Sequence, residues 1–158
     1  MLIIGILAAI AVPQYQFAVE KSRAAQAFVN LKALSDASDR FFLETNAWPT
    51  TFDQLDITIG NNCGLTCPVG DFTYRLELIS SYGYIMAYRG SASTANLTIC
   101  IMMQDETVSA VQLHKGDMIC APRANEKNQR ICRALGGKTM HENGSSFLTA
   151  SPFFILGQ

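Results

Sequence analysis

Charge is what this chain has least of: Asp, Glu, Lys and Arg make up 16% of its 158 residues, where a globular domain usually carries about a quarter. A basic excess is also missing. With a net charge of −1, the electrostatic footprint that nucleic-acid binding demands is absent. Histidine is confined to His114 and His141, in the contexts Leu-His-Lys and Met-His-Glu, which read as solvated surface. Zinc is poorly served, because Cys63-Gly-Leu-Thr-Cys67 has no second pair at matching spacing. Asp53/Asp56 and Asp105/Glu106 do not sit in the oxygen-rich loop that calcium takes, and they read as surface carboxylates. No grouping of residues suggests catalysis, so no catalytic, cofactor or metal residue is assigned and an enzyme is not expected. Long apolar runs are missing too. Met1–Val12 is uncharged and almost wholly apolar but stops at Pro13, short of the roughly 20 residues that span a bilayer. It has neither the basic start nor the small-residue cleavage site of a signal peptide. Internal repeats and long low-complexity linkers are absent as well.

Cysteine, by contrast, is plentiful. Cys63, Cys67, Cys100, Cys120 and Cys132 are many for a cytosolic protein of this size and point to an oxidising compartment. Helical periodicity is the other strong signal, running from Gln14 to about Asn46. Ala24, Ala27, Leu31, Leu34, Ser38 and Phe41 fall on one stripe; Ala18, Ser22, Ala25, Val29 and Ala33 fall on a second, roughly opposite. A helix docked on its own domain needs one such stripe. The second, built mainly of small residues, suits close approach of another helix. Tyr15, Phe17, Phe28, Phe41 and Phe42 read as packing residues. Residues 14–46 as helix measure about 50 Å at about 1.5 Å per residue, more than a small core can cover, so part of the helix must project. The chain divides accordingly into a projecting hydrophobic segment, 1–25, and a head, 26–158, that includes the C-terminal half of the helix. Gly5 and Pro13 weaken the helix between them.

Trp48-Pro49 after Asn46 ends the helix, and residues 60–70, rich in Gly, Asn and Cys, read as loop. Strand alternation follows in Phe72–Ile79, with Tyr84–Arg89 returning as its hairpin partner. Leu97–Met103 is a third strand, with Leu97, Ile99, Ile101 and Met103 on one face and Cys100 on the other. A fourth is expected around Thr107–Leu113. Residues 125–135 read as a short helix ended by Gly136, and the apolar tail 147–156 as a segment packed at the sheet edge or against a neighbouring subunit. Residues 90–96, the 120–132 loop and 137–146 are the most polar parts of the head and are expected on its outer surface, and Asn96 and Asn143 open glycosylation-type triplets.

The stretch from Leu2 to Gln16, with Gly5, the Ala8-Ala9-Ile10-Ala11 run, Pro13 and Tyr15, resembles the N-terminal helix of type IV pilins and the related type II secretion pseudopilins. Pro49 to Ile57 resembles the loop that follows that helix, and Cys120 to Gly137 resembles the disulfide-bounded C-terminal region of pilins. The family carries a basic leader, a peptidase site, a methylated first residue and an early glutamate upstream of the matching part. None precedes Met1, so the sequence is expected to start within that region. The resemblance implies an α+β fold, a long N-terminal helix on a four-stranded antiparallel sheet. It implies a structural subunit of an extracellular filament on the bacterial surface, held in the inner membrane before assembly. Its partners would be other copies of itself, in a helical homopolymer, and the pilus assembly machinery. The assembly helix would use Gly5, Ile6, Leu7, Ala8, Ala9, Ile10, Pro13, Tyr15, Ala18, Ser22, Ala25 and Val29. A Cys120–Cys132 bridge is implied in the same way. Cys63–Cys67 is the expected second pair, with a link from either to Cys100 as the alternative and Cys100 otherwise free. A pseudopilin, or a membrane-anchored module that binds a surface ligand singly, is the alternative function. In the filament the helix is expected to open between about Ile6 and Pro13.

Overall fold

The computed structural model describes residues 2–79, 82–91, 95–108, 111–123, 125–141 and 152–157. Helix α1, Leu2–Thr45, runs unbroken through Pro13. It ends where Asn46 takes a left-handed backbone, φ 55°, and donates its N–H to the Phe42 carbonyl at 2.8 Å. Asn is one of the few residues to visit that region readily. The first stripe is the one that packs: Ala24, Ala27, Leu31, Leu34 and Ser38 are buried. A one-turn 3₁₀ helix, Phe52–Gln54, then turns the chain towards the sheet.

The strands are β1 Thr66–Val69, β2 Phe72–Ile79, β3 Tyr82–Tyr88, β4 Thr98–Met102, β5 Glu106–Val108, β6 Val111–Leu113, β7 Met118–Ala121, β8 Met140–His141 and β9 Phe153–Leu156. Helix α2, Glu126–Ala134, lies between β7 and β8. Among the described residues, seven strands form one antiparallel sheet in the order β1-β2-β3-β4-β7-β9-β8, and β5-β6 form a separate hairpin. Opposed pairs such as Leu76 with Ile85 and Ile85 with Ile101 put apolar side chains side by side on the face towards α1.

That face, with Tyr74, Leu76, Ile85, Ile99, Ile101, Cys120 and Phe154, makes the main core with α1. The opposite face is buried as well: Tyr84, Met86, Cys100, Met102, Ile119 and Phe153 form a second core with Leu113 of the β5-β6 hairpin. The central strands are therefore enclosed on both sides. Leu97, Ile99, Ile101 and Met103 share the α1 face and Cys100 takes the other, as their alternation requires.

Four expectations need correction. The sheet has seven strands rather than four. Residues 60–70 are not wholly loop, since β1 pairs Thr66–Val69 with Phe72–Arg75 despite Pro68; proline is tolerated there because β1 is an edge strand. Thr107–Leu113 is not a fourth strand of the sheet but the β5-β6 hairpin, folded over the second core. Phe153–Leu156 is not at an edge: it lies between β7 and β8, where every one of its four side chains is buried. Helix α2 matches the expected short helix closely. Asn125 caps it by accepting from the Lys127 and Asn128 N–H groups, and Gly136, φ 109°, reverses the chain just beyond its end. Ser93, Asn143 and residues 142–146 of the expected outer surface lie outside the described residues.

Candidate functional site

No charged side chain occurs before Glu20. Within that stretch, residues 7–16 of α1 are exposed along their whole length. Leu7 is 62% exposed, Ile10 57%, Val12 52% and Tyr15 72%. Among the described residues, packing on the main core begins at Phe17, so these side chains are left largely to water. Ala8, Ala9 and Pro13 lie on the same bare segment, and Gly5 and Ile6 belong to the same helix. Higher up, Ala18, Ser22, Val29 and Ala33 of the second stripe are exposed and Ala25 is half-buried. Of the candidate assembly residues, Leu7, Ala8, Ala9, Ile10, Pro13, Tyr15, Ala18, Ser22 and Val29 are thus exposed on α1, and Ala25 is partly so. Among the described residues, no helix is long and apolar enough to cross a membrane.

Where the helix meets the head, a charged collar holds it. Arg89, at the end of β3, donates from Nη1 to Glu20 Oε2, and Lys127 Nζ of α2 stands 3.8 Å from the other carboxylate oxygen. The hydrogen bond from Arg89 holds the Glu20 carboxyl below the usual carboxylate range, against the opposing effect of its burial. The Arg130 guanidinium lies over the Phe17 ring at 5.0 Å and that of Arg89 over Phe72 at 5.2 Å. Arg23 pairs with Asp71 in the β1-β2 turn at 2.6 Å. Sequence periodicity gave no hint of this collar, since its members lie as far apart as Glu20 and Arg89. The signal that was available is Glu20 itself, the first charge after an uncharged run.

Both bridges, Cys63–Cys67 and Cys120–Cys132, are formed and Cys100 is free and buried. The alternative link to Cys100 fails on topology: Cys67 is in the core on the α1 side, whereas Cys100 is in the core on the other. Cys120–Cys132 ties β7 to α2, and so fixes the helix that carries Lys127 and Arg130. Burial pushes the Cys100 thiol up to about 12.

The remaining concave surfaces carry little chemistry. A cleft of about 340 Å³ beside Leu34 and the 52–63 segment contains Asp53 as its single carboxylate. Another, of about 410 Å³, is lined by Lys138, His141 and Ile155 among others. His141 is half-buried and stacks on Phe153 at 5.1 Å, so it is not the solvated residue expected from its neighbours. His114 is, at 63% exposure, 3.8 Å from Asp105. Asp56 is engaged by Arg40 through two bonds of 2.6 and 2.7 Å. Among the described residues, no group of three or more His, Cys, Asp or Glu side chains could hold a metal ion. Compared with family models, with curated proteins and with solved structures, the chain matches none.

Proposed function

We propose that the chain is a structural subunit of an extracellular type IV pilus filament, with a pilin fold, and that it polymerises through α1. The observation that carries this reading is the bare segment of α1, residues 7–16, apolar and uncovered by its own head. An exposed apolar patch of this kind is a binding surface or an aggregation hazard. Burying what is still exposed on Leu7, Ile10, Val12 and Tyr15 contributes on the order of 5 kcal/mol per subunit before the cost of association. The same contact repeated along an axis gives a helical polymer, because a head-to-tail interface that does not close on itself continues.

A monomeric anchored module would need the apolar segment but would have no use for the exposed small residues Ala18, Ser22 and Ala33 higher on the helix. Their exposure favours close packing of helices from several subunits. Before assembly the same segment would sit in the inner membrane. Negative-stain microscopy of material sheared from the surface of producing cells, with peptide identification, tests the proposal. Filaments containing this chain support it; the chain found only in membrane fractions, with no filaments, counts against it.

A further inference from the structure

The head is charged unevenly along α1. Its proximal end, where the bare segment emerges, carries Lys21 and α2, whose Arg130 lies over Phe17. Lys21, Arg130 and Arg133 are exposed and, among the described residues, without a carboxylate partner, against one exposed carboxylate of α2, Glu126. Lys127 beside them shares the single carboxylate of Glu20 with Arg89. At the distal end the balance reverses. Glu44 and Asp53 are exposed, and neither forms an ion pair among the described residues, while Asp56 next to Glu44 is already neutralised by Arg40. Glu44 stands in the last turn of α1, which contains no basic residue. A carboxylate there faces the negative end of the helix dipole, and Arg40 one turn away is already bonded to Asp56, so further positive charge beside Glu44 would be favourable. From Glu20 to Glu44 the helix rises about 36 Å at about 1.5 Å per residue, so the two patches lie at opposite ends of the head.

We propose that these two ends are complementary halves of one interface, the occupant being a second copy of this chain: the Lys21, Arg130 and Arg133 end of one head seats on the Glu44 and Asp53 end of the next. The inference rests on the filament reading above and deepens it. Bundling of the bare α1 segments sets neighbouring heads parallel and displaced along the axis, which brings a proximal end onto a distal end. Turning one head end for end at this end-to-end contact would place like charges together, so the charge polarity also selects against that pairing.

The test assembles the full chain from detergent and measures its critical concentration. Arg130→Glu with Arg133→Glu reverses one end; Glu44→Lys with Asp53→Lys reverses the other. At low ionic strength each pair should raise the critical concentration about tenfold, the combined effect of a few exposed pairs turned from attraction to repulsion. Both pairs in one chain should restore assembly, because each interface then meets opposite signs again. About 1 M salt, where screening acts within about 3 Å, should erase the differences. Melting of the detergent-dispersed monomers checks that the heads remain folded. Wild-type filaments indifferent to salt and to both reversals would overturn this inference alone. A wild-type chain that forms no filament would remove the filament reading and this inference with it.

Discussion

Glu20 is the residue on which the junction of helix and head turns. It is the first charge of the chain, its side chain is 19% exposed, and Arg89 and Lys127 converge on it. Because Arg89 lowers its folded pKa, its contribution to stability is present above the unfolded value of about 4.3 and is lost as the pH falls through the lower folded value. Glu20→Gln should therefore cost about 1–2 kcal/mol in urea unfolding at pH 7 and progressively less as the pH falls into the acid range. A loss that stays the same into the acid range would show that the collar does not act through charge. Cys100 gives a second check at this scale. With its thiol buried and held up at about 12, almost no thiolate exists near neutrality, and the thiolate is the reactive form. Alkylation at pH 8 should leave Cys100 unmodified in the folded chain and go to completion in guanidinium. Rapid labelling of the native chain would contradict its burial in the second core.

At the scale of elements, α1 and α2 could be read directly from the sequence, and so could the pairing of β2 with β3. Their signals are local: a stripe of Ala24, Ala27, Leu31 and Leu34 in one case, Asn125 and Gly136 as end signals in another, strict alternation in the third. What escaped has physical reasons. The four residues of β7 are all buried, so the chain shows no alternation there to reveal a strand. Strand β9 is likewise apolar throughout, which is why it resembles a tail looking for a surface and not the interior strand it is. Strand β1 is masked by Cys67 and Pro68 within a loop-like composition. The apolar run up to Pro13 and the small-residue stripe beyond it were legible in the sequence, their use in assembly being implied by the resemblance, whereas the collar and the two charged ends depend on contacts between distant segments. Pro13 belongs to this scale too. In the single chain α1 passes through it unbroken, although proline supplies no donor and crowds the preceding turn at a cost of about 3 kcal/mol. In the proposed filament the segment from about Ile6 to Pro13 is expected to open, because outside the bilayer water or neighbouring side chains can pair the freed backbone groups, which hydrocarbon cannot. Backbone tracing in a filament density map decides it: an extended stretch there, with helix resuming by Tyr15, agrees, and an unbroken hydrogen-bond ladder from Ile6 to Val12 does not.

For the whole molecule, the division of labour is between a head that completes its own packing and a helix that does not. The central strands of the sheet are enclosed on both faces, by α1 on one and by a second core on the other, and two disulfides brace the head. Among the described residues, Phe17 is the first to pack on the head, and residues 7–16 are exposed. The proposal that this segment is the assembly surface therefore separates cleanly from folding. Ile10→Asp places a charge in the middle of the bare segment without touching the head. The measurement that bears most directly on the account is electron microscopy of cells or detergent-free preparations carrying Ile10→Asp beside the wild type, with the melting temperature of the head followed in parallel. The account predicts filaments from the wild type, none from the variant, and the same melting temperature for both heads. Filaments of normal number and length from Ile10→Asp would contradict it.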